Sequence, residues 1–106
     1  MLLFEWDINK NIINIKKHGI DFKEVQSVFF DENGLLISDP DHSESEERFI
    51  LIGMNNKAEL IVVSHCYRSN EEIIRIISAR KATKNEYQQY MEANGLWEKS
   101  MIFQKE

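Results

Sequence analysis

Apolar residues recur along this chain with two different periods, and the switch between them divides it. Leu2 to Trp6 is a short apolar run that reads as a strand. From Ile8 the period becomes helical, with Ile8, Ile12 and Ile15 at i, i+4 and i+7 along one face. Asp7 is placed to cap that helix, Lys16, Lys17 and His18 occupy its last turn, and Gly19 supplies the left-handed residue that closes it. A second helix starts at the N-cap Asp21, with Glu24 three residues on and Ile20 and Val25 as a hydrophobic staple. Phe22, Val25, Val28 and Phe29 form its stripe, and Asp31-Glu32-Asn33-Gly34 is a turn by composition. Beyond it the short apolar runs are strand-like: Leu35 to Ser38, Arg48 to Met54, Leu60 to Tyr67 and Glu72 to Ala79. Asn55-Asn56-Lys57 and Ser69-Asn70 punctuate them, and Pro40 keeps the segment from Asp39 to Glu47 out of any central strand.

The stretch from Ile73 to Glu86 organises the rest. It opens as a β-branched run and passes directly into Thr83-Lys84-Asn85-Glu86, the signature of a capping box, so a central strand hands over to a final helix from Lys84 to about Asn94. Arg75, Arg80, Lys81 and Lys84 are carried across that junction. Arginine in a core strand is costly unless it meets an anion or reaches water. A strand, two helices, strands joined by tight turns and a closing helix predict an α+β fold, an antiparallel sheet with helices packed on one face. Residues 1–94 are expected to form one domain, followed by a tail over 95–106 that carries Leu96, Trp97, Ile102 and Phe103.

Strand parity gives a first view of which side chains meet. His65 and Tyr67 share a face with Val63 and Ile61, and Ser64 and Cys66 share the other. An even-numbered loop at Ser69-Asn70 would put Ser78 and Arg80 beside His65 and Tyr67, with Arg75 on the reverse; an odd loop would exchange the arginines. The even loop is the expectation, which makes Arg80 the first candidate for phosphate contact.

The single cysteine cannot form an internal disulfide, no signal-peptide pattern opens the chain, and no apolar run approaches membrane-spanning length. A soluble cytoplasmic protein without a membrane partner is the expectation. The formal net charge of −5 is unevenly spread. Asp31 to Glu47 holds seven acidic residues and no base, whereas Lys10 to Lys23 and Arg68 to Lys84 each carry a local +3. A binding cleft follows local clustering rather than overall sign, so RNA is not excluded.

No metal-ligand spacing, P-loop, dinucleotide glycine pattern or nucleophile elbow is present, and no cofactor is expected. Cys66 follows His65, but strand neighbours point to opposite faces, which disfavours a Cys–His pair. What remains is a basic and aromatic set: Lys17, His18, His42, Arg48, His65, Tyr67, Arg75, Arg80, Lys81, Tyr87 and Tyr90. It suits metal-free RNA cleavage, which needs a base for the 2′-hydroxyl proton, cations for the crowded phosphate and an acid for the departing oxygen. Each member also has an ordinary structural explanation. Arg48 follows Glu44, Glu46 and Glu47 and suits a surface ion pair. His18 suits a helix-end cation, and Tyr87 and Tyr90 suit packing on the sheet.

Together these residues resemble the BrnT family of toxins from type II toxin–antitoxin modules. The resemblance rests on F-E-W-D at Phe4 to Asp7, K-H-G-I at Lys17 to Ile20, D-P-D-H-S from Asp39 to Ser43, and E-E-R from Glu46 to Arg48. I-G at Ile52-Gly53, H-C-Y-R at His65 to Arg68, and R-I-I-S-A-R-K-A-T from Arg75 to Thr83 complete it. It implies a RelE-like fold and a ribonuclease that cleaves RNA and halts translation. It also implies a cognate BrnA-type antitoxin with a ribbon-helix-helix DNA-binding part, through which the complex reaches operator DNA; a homodimer within that complex is a further expectation. By the same resemblance the active surface would comprise Lys17, His18, Arg48, His65, Tyr67, Arg75 and Arg80; Lys81 is a further candidate for binding the substrate. His65 is then the expected proton-transfer residue, Arg80 and Arg48 the phosphate cations, and Tyr67 a stacking or orienting group. A rival reading makes the same basic face a non-catalytic docking site, the chain acting as an antitoxin-binding co-repressor.

Overall fold

The computed structural model describes residues 2–39, 41 and 46–95. They run as β1 (Leu3–Trp6), α1 (Ile8–His18), α2 (Phe22–Val25), a 3-10 turn (Gln26–Phe30), β2 (Leu35–Ser38), β3 (Phe49–Met54), β4 (Leu60–Arg68), β5 (Ile73–Lys81) and α3 (Lys84–Ala93). His42 and the tail from Leu96 onward lie outside the described residues.

The helix ends form where their sequence places them. Asp7 accepts hydrogen bonds from the backbone N–H groups of Asn9 and Lys10, and Gly19 closes α1 at φ 69°. Asp21 caps α2 through the N–H of Lys23. Thr83 and Glu86 make both halves of the capping box on α3.

The five strands form one sheet in the order β1-β5-β4-β3-β2. The α+β class stands, with two refinements. The sheet is mixed, because β1 returns parallel to β5 while the other pairs are antiparallel. The helices also take both faces rather than one. α1, α2 and the 3-10 turn cover the face bearing Leu51, Ile61, Val63, Ile74 and Ile76, where Phe22, Val25 and Val28 complete the main core. α3 crosses the other face and seats Tyr90 on Ile52, Leu60 and Val62. Each fully buried large side chain contributes about 1.5–3 kcal/mol by leaving water, which makes the first cluster the principal source of stability.

Two polar side chains hold the layers in place. Asp31 accepts from the N–H of Met54, the N–H of Asn33 and the hydroxyl of Tyr90, tying the turn before β2 to β3 and α3. Burial pushes the Asp31 carboxyl up, but these donors outweigh it and leave the group below its usual range. Burial and the adjoining Asp31 carboxylate push the Tyr90 phenol up to about 12.

Asn14, the second of these, explains a reversal in α1. The isoleucine stripe faces solvent: Ile8 is 72%, Ile12 52% and Ile15 41% exposed. α1 instead sits on β5 through Asn14, which donates to the carbonyls of Ile20 and Ala79 and accepts from the N–H of Ala79. β1 pairs with β5 only as far as Ile76, so the Asn14 amide serves the strand edge that β1 leaves open.

Candidate functional site

The site is set by one irregularity in the central hairpin. The four residues from Ser69 to Glu72 make an even loop, and Tyr67 pairs with Ile74 and His65 with Ile76, which keeps Arg75 on the reverse as expected. Between Ser64 and His65 the register slips by one residue, so that Ser64 faces Ser78 and Val62 faces Arg80. Ile77 is the additional residue of a β-bulge. It flips every later side chain of β5 relative to β4, and the expectation that Arg80 joins His65 and Tyr67 is therefore overturned. Arg75 and Arg80, of opposite parity in the sequence, end up on one face.

That face is only half covered by α3. On its open half Arg48, Arg80, Asp39, Ser64 and Ser78 line a groove of about 250 Å³ floored by Ile50 and Val62. Arg48 leads into β3, with the parity of Ile50, which pairs with Ser64. Arg80 is fixed by a bidentate pair with Glu86, at 2.7 and 2.8 Å. The same Glu86 closes the capping box, so the N-terminus of α3 and the groove share one anchor. The Arg80 guanidinium holds the Glu86 carboxyl down at about 2, against the opposing effect of burial. In return the pair with Glu86 raises the Arg80 guanidinium further. Farther along the same face Arg75 pairs with Glu5 at 2.6 Å, and Arg68 lies 3.7 Å from Glu5 and 3.8 Å from Glu46.

His65 belongs to the opposite layer. It is fully buried, edge-on to Phe29 and Tyr67 at 4.9 and 5.1 Å between ring centroids, with Phe49 at 6.2 Å. Its Nδ1 lies 3.4 Å from the carbonyl of Val63 and its Nε2 3.1 Å from the Tyr67 hydroxyl. A carbonyl only accepts, so Nδ1 carries the proton and Nε2 accepts from Tyr67. Burial lowers the imidazole from 6.5 to about 4, with the Val63 carbonyl opposing the shift. The ring is neutral near pH 7 and sealed from the arginine groove by the sheet itself. Burial likewise raises the Tyr67 phenol and the Cys66 thiol above their ordinary values.

The remaining candidates gather elsewhere. His18 and Lys81 line a second cavity of about 350 Å³ on the helical side, together with Lys57, Glu24 and Glu59. Lys81 lies 3.5 Å from Glu59 there. Lys17 is exposed on the last turn of α1 and lines neither cavity. Tyr87 is 44% exposed, whereas Tyr90 packs on the sheet. Among the described residues no three His, Cys, Asp or Glu side chains converge in a way that would hold a metal ion. None of the described helices is long and apolar enough to cross a membrane. Asp39, Ser64 and Ser78 are groove residues that sequence reasoning passed over. Polar side chains at even positions of β4 and β5 were the available signal, hidden by the bulge.

With this fold and groove in place, the class of protein follows from its relatives: a ribonuclease toxin. Residues 6–86 match the family described as ribonuclease toxin, BrnT, of type II toxin-antitoxin system, and the chain belongs to that family. It is similar to the ribonuclease toxin BrnT of Brucella abortus, known from a 1.1 Å crystal structure. The two are 26% identical with a TM-score of 0.59, over 79% of this chain and all of the other. No curated protein matches the chain.

Proposed function

We propose that this toxin is a metal-independent endoribonuclease that blocks translation by cutting RNA in the groove of the open sheet face. The observation that carries this reading is the bulge at Ile77, which brings Arg80 to the groove that Arg48 lines. The reaction is attack of a ribose 2′-oxygen on the adjacent phosphorus. The P–O5′ bond breaks as the P–O2′ bond forms, leaving a cyclic phosphate and a 5′-hydroxyl. The 2′-hydroxyl proton leaves with a base, and the departing 5′-oxygen takes a proton from solvent water. Charge builds on the two non-bridging oxygens in the transition state, where fixed guanidinium donors act most strongly. Arg48 and Arg80 supply those donors, and the Glu86 clamp holds Arg80 in one orientation before substrate arrives. Asp39, the carboxylate among the groove residues, takes the 2′-hydroxyl proton.

His65 then has a structural role, holding the Tyr67 hydroxyl on the helical side of the sheet, and Arg75 braces β5 against β1 through Glu5. Lys17, His18 and Lys81 attract RNA at longer range without touching the scissile phosphate. Neutralisation by a BrnA-type ribbon-helix-helix antitoxin in the cytoplasm, with operator binding through that partner, completes the reading. The test is cleavage of a defined RNA by the purified chain in excess chelator. Cleavage that persists, and growth arrest on expression without antitoxin, are expected. Intact RNA with properly folded protein would leave the rival reading, a docking co-repressor.

A further inference from the structure

We infer that the hydroxyls of Ser64 and Ser78 are catalytic hydrogen-bond donors that complete, with Arg48 and Arg80, a cradle for the scissile phosphate; this deepens the reading above and rests on it. The two serines form one rung of the sheet, in which Ile50 pairs with Ser64 and Ser64 with Ser78. The bulge at Ile77 is what sets Ser78 opposite Ser64. Directly paired residues stand about 5 Å apart at Cβ on one face, so the hydroxyls lie side by side. The neighbouring rung on that face pairs Val62 with Arg80. Arg48 lies on the other side, two residues before Ile50, and lines the same groove. Rungs on one face repeat every second residue, about 6.8 Å. A phosphate that reaches both guanidiniums therefore sits over the serine rung between them.

The chemistry of that rung fits the task. Ile50 and Val62 floor the groove with apolar surface, and a β-branched residue would suit the strands better than serine. Serine instead leaves the groove open and offers a hydroxyl that donates. Ser78 is exposed and Ser64 half-buried, and among the described residues neither hydroxyl is engaged by another side chain or by backbone. The Arg80 guanidinium beside them is partly spent, with two hydrogen bonds to Glu86 and one to the carbonyl of Lys81. Neutral donors next to it supply what it no longer offers, and serine hydroxyls are ordinary partners of phosphate oxygens. They donate to the non-bridging oxygens as charge builds there and keep their own protons.

Single-turnover cleavage of a defined RNA by the full-length chain tests the pair. Ser64→Ala and Ser78→Ala should each slow cleavage about 10-fold and the double variant about 100-fold, with melting temperature at the parent value. Ser78→Thr keeps the hydroxyl on a residue suited to a strand and should stay within about threefold of the parent. A phosphorothioate at the bond the parent cuts separates contact from mere structure, because sulfur is a weak acceptor. It should slow the parent about threefold more than the double alanine variant, which has already lost the donors that sulfur weakens. Inorganic phosphate, titrated while the amide resonances of β4 and β5 are followed, should bind the double variant about fivefold more weakly than the parent. A folded double variant that cleaves within about tenfold of the parent would overturn the assignment, as would an equal sulfur effect in both chains. A parent that leaves RNA intact would sink the nuclease reading alone if phosphate affinity still depends on the two serines, and both if it does not.

Discussion

The two faces of the sheet treat their polar residues in opposite ways. On the helical face His65 is sealed among Phe29, Phe49 and Tyr67, loses its charge to burial and satisfies both ring nitrogens internally. On the open face Arg48 and Arg80 line a groove, and Glu86 fixes one of them without burying it. The side chain that reads as the best catalyst in one dimension is a core residue, and the arginines that read as expensive core residues border open space. A titratable group is useful to a substrate only where the substrate can reach it, and the layer decides that before chemistry does.

The comparison breaks most visibly if both groove cations are removed. Arg48→Ala with Arg80→Ala is expected to lower RNA cleavage by about 10³-fold or more with helical content retained, measured as single-turnover rates on folded protein. His65→Ala should act on the other quantity. Truncating a fully buried ring opens a cavity and costs about 2–5 kcal/mol of stability in denaturant unfolding, while the folded fraction cleaves at nearly the parent rate.

The same histidine gives the helical face a pH signature. Its folded value, about 4, lies below the unfolded 6.5, so as pH falls the unfolded chain takes up the proton first. The stability it contributes is complete above 6.5 and is lost between 6.5 and 4, a change of about 3 kcal/mol. His65→Gln, which has no proton to bind, should remove that part of the slope. Smaller again is Asn14→Ala, which strips the Ala79 N–H and carbonyl of their partner at the edge of β5. A loss of about 1–3 kcal/mol is expected, with cleavage untouched.

Much of the scaffold was legible in the sequence because local chemistry fixes it. Thr83 with Glu86, Asp7, Gly19 and Asp21 mark helix ends through bonds made within a few residues, and all of them form. The even hairpin loop placed Arg75 correctly because nothing intervenes between it and the turn. Arg80 was misplaced because Ile77 looks like any other isoleucine of a strand, and an unpaired residue is a property of two strands rather than one. α1 misled for a related reason. Its isoleucines have helical spacing, but spacing does not say which side meets the sheet, and Asn14 takes that side because β1 ends early. The parallel return of β1 and the placement of α3 on the opposite face depend on long-range packing that no local motif encodes.

The most direct test of the account compares two single variants, each expressed per folded molecule: the RNA cleavage rate of Arg48→Ala against that of His65→Gln. The open groove as the site of cleavage predicts that Arg48→Ala falls by about 10²-fold or more while His65→Gln stays within a few-fold of the parent. The reverse order, with the buried histidine essential and the groove arginine dispensable, would contradict it.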